Sequence, residues 1–186
     1  MTLHSERLLF REFQEADRPL LYQLLSDPVV MRYAYHDAYE AESEFQPYFD
    51  RILRNNGTVD RREEYKFAVF LASNHRFVGM CDLEIEQFGE SGGNAELGYF
   101  LAPVFWGCGY ATEIARELLR FGFSVIGMHR VSARCHADNA ASENVMKKIG
   151  MSREGVFSKA RYKNGAWHDE LRYAITIAND KRHLPR

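Results

Sequence analysis

What is scarce in this 186-residue chain narrows its possibilities first. It has three cysteines, Cys81, Cys108 and Cys135; an odd number without close spacing argues against both a disulfide framework and a zinc cluster. Neither sign of charge dominates, with 24 Lys+Arg against 26 Asp+Glu and a net charge of −2. Nucleic acid is therefore excluded as a main partner, because binding phosphates needs a clustered surplus of cations. The longest purely apolar run is the six residues Phe67 to Ala72, far below the ~18 that span a bilayer. Met1 to Arg7 lacks the apolar core of a signal peptide, so a reducing cytoplasm is the expected location. Hydrophobic residues at 46% and charged residues at 27% describe a folded chain, expected as a single domain over residues 1–186.

Periodicity supplies the elements. Leu8-Leu9-Phe10 opens a strand, and a helix around Pro19 carries Leu20, Leu21, Leu24 and Leu25 before Asp27-Pro28 stops it. A second helical stretch, Ala41 to Asn55, is expected to be interrupted by Pro47 and ended by Asn56-Gly57. Between these helices lies the aromatic loop Tyr33 to Tyr39. Phe67 to Leu71 and Phe77 to Ile85 read as strands; in the second, Cys81, Leu83 and Ile85 face one side and Asp82, Glu84 and Glu86 the other. Ala95 to Leu101 is a strand ended by Pro103, and Ala111 to Ile126 a helix. Val131 to Cys135 is a strand and Ala140 to Ile149 a helix closed by Gly150. Asn164-Gly165 then joins two final strands, Ser152 to Tyr162 and Trp167 to Ile177, as a hairpin. The tail from Asn179 is polar and expected to fray.

Two segments carry chemistry. Trp106-Gly107-Cys108-Gly109-Tyr110-Ala111-Thr112 lies between a strand and a helix, where glycines let backbone N–H groups approach an anion and the helix N-terminus adds positive charge. The alternative is a glycine turn that merely joins two elements. A Walker loop is absent, and a dinucleotide fingerprint would need Gly or Ala where Thr112 stands and an acid near Arg130. In the second segment, Asn139 to Gly150, Asn139 stands at a helix N-cap position and Ser142 in the first turn. Each is open to a capping role or a role in a cleft.

Taken together these segments resemble the GNAT superfamily of acetyl-CoA-dependent N-acetyltransferases, in the branch similar to ribosomal-protein N-terminal acetyltransferases of the RimJ/RimL type. Ser5-Glu6-Arg7-Leu8-Leu9-Phe10-Arg11 looks like that branch's opening strand, and Ala95 to Pro103 like its central strand. Trp106 to Glu113 looks like its pyrophosphate loop; Asn139 to Gly150 and Glu154-Gly155 look like its later segments. The resemblance implies an α/β (α+β) fold: a mixed, largely antiparallel sheet of about six or seven strands with about four helices, splayed between its central strands. It implies acetyl-CoA as cosubstrate, held by backbone groups of Phe100 and Leu101, by Trp106, Gly107, Cys108, Gly109, Tyr110, Ala111 and Thr112, and by Asn139. The acceptor would be an amine, on a small molecule or a protein N-terminus, and a homodimer is an admissible assembly.

The implied reaction is direct attack of an amine on a thioester, which calls for a backbone N–H near Phe100 aimed at the developing oxyanion, a base and an optional acid. Many relatives carry Tyr where this chain has Met146, leaving Ser142 as the acid. Some carry Glu where this chain has Arg161, which cannot serve as a base; Glu96 and Glu84 are the replacements. Deprotonating an α-amine at pH 7 costs about 1.4 kcal/mol against about 4.6 kcal/mol for a lysine, which favours the former as acceptor. Arg161 is instead suited to a substrate carboxylate or phosphate, and Tyr33, Tyr35 and His36 to the acceptor wall. His129 and His136 have no ligand partner at metal spacing in the sequence, so no metal is expected. A degenerate CoA-binding module and a dinucleotide-binding protein are the competing readings.

Overall fold

The computed structural model describes residues 1–56, 58 and 62–180. The strands are β1 Thr2–His4, β2 Leu8–Glu12, β3 Glu64–Leu71, β4 Phe77–Gln87, β5 Asn94–Leu101, β6 Arg130–His136, β7 Ser152–Lys163 and β8 Ala166–Thr176. The helices are α1 Arg18–Leu25, α2 Glu42–Asn56, α3 Tyr110–Phe121, α4 Ala140–Lys148 and the short α5 Ile177–Asp180. One sheet in the order β1-β2-β3-β4-β5-β6-β8-β7 is antiparallel except between β5 and β6. Eight strands and five helices among the described residues exceed the six or seven and four expected. The additions, β1 and α5, are too short to show a hydrophobic period.

Three other expectations need correcting. Pro47 does not interrupt α2, which runs continuously from Glu42 to Asn56; Phe45, Phe49 and Ile52 bury one face of it, and that packing outweighs the one backbone bond a proline removes. The long helix expected to Ile126 is α-helical only to Phe121 and continues as a turn of π-helix over Gly122–Ile126. Asn179 lies in α5, so the tail is not frayed from that point. The expected turn at Gly57 and the end of the tail, 181–186, lie outside the described residues. The hairpin turn is as expected, Asn164 and Gly165 taking φ of 49° and 75°, the left-handed pair that Asn-Gly accommodates.

The sheet has two apolar faces, assigned by the alternation of side chains along each strand. Phe67 and Val69 of β3, Cys81 and Leu83 of β4, and Leu97 and Leu101 of β5 pack with Ile114, Leu118 and Phe121 of α3; Phe67 and Phe121 meet edge to face at 5.5 Å. On the reverse face Ala68, Phe70 and Met80, with Phe100 against them, pack with α1 and α2 through Leu21, Phe45 and Phe49. These two layers cover β3 and β4 on both sides and reach β5 through Leu97, Leu101 and Phe100.

Candidate active site

The parallel pair β5 and β6 is joined only at its start, Asn94 to Arg130, Ala95 to Val131 and Glu96 to Ser132. Beyond Glu96 the strands part, so Leu97 to Leu101 and Ala133 to His136 border an opening through the sheet. A cavity of about 780 Å³ fills it, lined by residues of both strands, the glycine loop, α4 and the loop after α1.

Which backbone groups face this opening follows from strand parity. Ala102 N–H donates to Val78 O at 2.9 Å, while Ala95 O accepts from Ser132 Oγ at 3.2 Å and Leu101 O from Trp106 Nε1 at 2.8 Å. In an antiparallel pair successive residues alternate direction. The groups of Phe100 thus turn toward β4, and those of Tyr99 and Leu101 toward the gap. Edge groups left this way need a partner in a buried place.

The glycine loop forms one end of the cavity. Gly109 is the N-cap of α3 at φ 81°, a conformation costing other residues roughly 1–2 kcal/mol, and a side chain on Gly107 would meet nothing within 4 Å. The first intrahelical bond runs from Glu113 N–H to Gly109 O, so the amides of Tyr110, Ala111 and Thr112, residues that line the cavity, precede the helical ladder, the arrangement that suits an anion at a helix N-terminus. The N-terminal segment braces this corner. Glu113 accepts from Ser5 Oγ at 2.7 Å and from Arg7 N and Nε at 2.8 and 2.7 Å, and Arg7 Nη1 donates to Cys108 O at 3.1 Å. Burial pulls the Glu113 carboxyl upward, but these donors outweigh it and hold it below the usual range. Cys108 itself is exposed and outside the cavity lining.

On α4, the Asn139 side chain accepts from Ser142 N–H at 3.1 Å, which is the capping role in full. Both residues also line the cavity. Ser142 Oγ lies 3.5 Å from the Tyr99 hydroxyl, at the outer limit of a hydrogen bond. Burial pushes the Tyr99 phenol up to about 12, so it keeps its proton at neutral pH. A Tyr99 O–H directed at Ser142 leaves the serine proton free to point into the cleft. Sequence reading missed Tyr99; its signal was the side chain's place on β5 opposite the α4 turn, invisible without the packing.

The other face holds the charged groups. Glu96, at the vertex of the split, is held by Arg134 Nε at 2.7 Å; burial raises its pKa and Arg134 only partly offsets this. Asp82 and Glu84 accept from the buried Lys66 at 2.9 and 3.1 Å, and burial likewise lifts Asp82. Asp82 and Lys66 were not anticipated. Tyr33, Tyr35, His36 and Arg161 all line the cavity, clamped to the β7–β8 hairpin: Arg161 Nη1 donates to Tyr33 O at 2.6 Å, Lys163 Nζ to His36 O at 2.7 Å, and the Tyr35 hydroxyl to Glu170. The Arg161 guanidinium also stacks on the Tyr35 ring at 3.6 Å.

His136 departs from its sequence reading. The fold brings it beside His168 and Asp138, with one ligating atom of each within 4.8 Å of the others, a grouping that chain spacing hides because His168 comes from β8. Its Nδ1 accepts from Asp138 N–H at 3.1 Å, and His168 Nε2 contacts Lys163 O at 3.2 Å. His129 is not part of this group.

A split sheet with a glycine-capped helix at one end of the gap defines an acyltransferase class. The family model described as Acetyltransferase (GNAT) domain matches residues 7–152, and the chain belongs to that family of N-acetyltransferases. It is 35% identical over 175 residues to the uncharacterized N-acetyltransferase YnaD of Bacillus subtilis, covering 94% of this chain and 96% of that one. The crystal structure of a GNAT-family acetyltransferase from Bacillus anthracis superposes with a TM-score of 0.80 at 33% identity, covering 95% of this chain and 98% of its own. The ribosomal L7/L12 α-N-protein acetyltransferase RimL, solved with coenzyme A, has the same fold, with a TM-score of 0.82 at 23% identity and coverage of 97% and 100%. No helix among the described residues is long and apolar enough to cross a membrane.

Proposed function

We propose that this single-domain chain transfers an acetyl group from acetyl-CoA to a primary amine by direct attack, as an enzyme of the RimJ/RimL-type branch. The observation that carries this reading is the parting of β5 from β6 after three residue pairs, beside the N-terminal amides of α3. Acetyl-CoA supplies the activated acyl group. Tyr110, Ala111 and Thr112 hold its pyrophosphate by amide donors, and the edge N–H and C=O of Tyr99 with the N–H of Leu101, whose carbonyl already accepts from Trp106 Nε1, hold its pantetheine arm. RimL is solved with coenzyme A, which agrees with this fit.

The edge N–H of Tyr99 or Leu101 donates to the oxygen that gains charge during attack; the parity of β5 favours these over Phe100. Glu96 accepts the amine proton, directly or through water. Its raised pKa brings a carboxylate closer to working pH, which improves it as a base. Ser142 hydrogen-bonds the departing sulfur. A thiol leaves at a pKa near ~8.5, so a hydrogen bond suffices where full proton transfer is unnecessary.

Thermal unfolding with acetyl-CoA and with NAD, paired with a thiol-release assay on α-amines and lysine peptides, tests the reading. Saturation at ~100 Kd adds about 2.7 kcal/mol of stability. Stabilisation by acetyl-CoA and thiol release with an amine are expected. Stabilisation by NAD alone overturns the assignment, and acetyl-CoA binding without turnover on any amine identifies a binding module.

A further inference from the structure

The charged wall on the α1 and α2 side of the gap has an uneven balance. Its three carboxylates are already answered by neighbouring cations. Asp82 and Glu84 share Lys66 at 2.9 and 3.1 Å, together with Glu64 at 3.3 Å from outside the cavity lining, and Glu96 is held by Arg134 at 2.7 Å. Two guanidiniums are answered less fully, one with no carboxylate partner among the described residues and one sharing a distant carboxylate with a second arginine. Arg32 is exposed at the cavity wall, lies 5.1 Å from the Tyr33 ring, and has no carboxylate partner among the described residues. Arg161 is 3% exposed and lines the same cavity. Its nearest carboxylate, Glu170, stands 3.7 Å away and is already engaged by Arg172 at 2.8 Å and by the Tyr35 hydroxyl. The Arg161 Nε–H, moreover, is the one buried side-chain polar atom among the described residues without a hydrogen-bond partner.

A buried donor without an acceptor is a cost that a bound acceptor removes. A guanidinium short of negative charge selects carboxylate or phosphate, whose paired oxygens match its fork. A polyamine entering this cavity finds surplus carboxylate only around Lys66, whose one ammonium Asp82, Glu84 and Glu64 share, and at the other end it must approach Arg32.

We propose that the acceptor is a small amine bearing an anionic group, a carboxylate or a phosphate, which docks against Arg32 and Arg161 while its amine reaches the gap beside Glu96. This rests on the acetyl-transfer reading and adds the chemical class of the acceptor. Arg32 sits on the 3-10 turn Val30–Tyr33 and Arg161 near the end of β7, joined through the Tyr33 carbonyl that Arg161 holds at 2.6 Å. The loop after α1 and the hairpin thus present one anion subsite.

The test is thiol release from acetyl-CoA by the full chain with matched acceptors: β-alanine against β-alaninamide, phosphoethanolamine against ethanolamine, and putrescine. The expected kcat/KM for the anionic member exceeds that of its neutral partner by about tenfold or more, the scale of one charge-assisted contact, with putrescine poorest. The pair showing the larger ratio separates carboxylate from phosphate. Arg32→Gln is expected to collapse that ratio to about twofold through KM, and raised salt to shrink it, since Arg32 is solvent-facing. Arg161→Lys, which keeps a cation at a buried place, serves as the second variant, with its melting curve run alongside. Neutral amines or putrescine turning over as well as the anionic ones, or an unchanged ratio in Arg32→Gln, overturns the proposal while acetyl transfer stands. Stabilisation by acetyl-CoA with no turnover of any panel member also overturns it. Absence of both stabilisation and turnover removes the acetyl-transfer reading itself.

Discussion

The two faces of the split sheet are built from alternate residues of the same strands, yet they are organised by different forces. Toward α3 and α4 the work is done by backbone: a left-handed Gly109, amides ahead of the helical ladder, and strand edges opened after Glu96. Toward α1 and α2 it is done by ionised side chains, Lys66 among its carboxylates and Arg134 on Glu96. Backbone donors are set by conformation, so that face changes when φ is strained and hardly responds to pH. Side-chain charges set one another, so the second face responds to pH and to the loss of a single partner.

The largest effect is expected on the backbone face. Gly109→Val forces a β-branched residue into φ 81° and displaces the amide cradle; kcat/KM for acetyl-CoA should fall about 100-fold, as misplacement near 1 Å does elsewhere, and the thermal shift with acetyl-CoA should vanish. A normal shift would show that α3 does not hold the cosubstrate. Next comes Arg134→Gln on the charged face. Burial already raises the Glu96 pKa and Arg134 restrains it, so removing the cation lifts it further. A base works only when deprotonated; the acid limb of kcat/KM should therefore move to higher pH, with a several-fold loss near pH 6 and little above pH 9. An unmoved limb would assign the limb to another group, with Asp82 the next carboxylate to examine. The smallest effect separates two roles of one residue. Asn139→Ala should cost about 1 kcal/mol of stability through the lost cap, and Asn139→Ser should restore it. If Asn139 also touches the cosubstrate, the serine variant regains its melting temperature but not its KM for acetyl-CoA.

The contrast between the faces also explains what could be read in the chain. The glycine loop, the Asn139 cap and the Asn164-Gly165 turn are local devices, each requiring particular residue types at adjacent positions, and their places were legible. Alternation along β4 likewise put Cys81 and Leu83 in the core and left Asp82 and Glu84 on the other side. The partner of Tyr99 is 43 residues away in sequence, and Arg161 reaches Tyr33 across 128. Such pairs leave no periodic trace. The grouping of His136 with His168 escaped for the same reason.

Sequence alone determined the kinds and order of most elements and the positions where a chain must turn left-handed or cap a helix, because these depend on each residue's own sterics and its nearest neighbours. Only the tertiary structure decided that β5 and β6 separate after Glu96, and which cations answer which carboxylates. Those outcomes depend on how two layers of helices compete for opposite faces of one sheet, and on distances between charges brought together from remote parts of the chain.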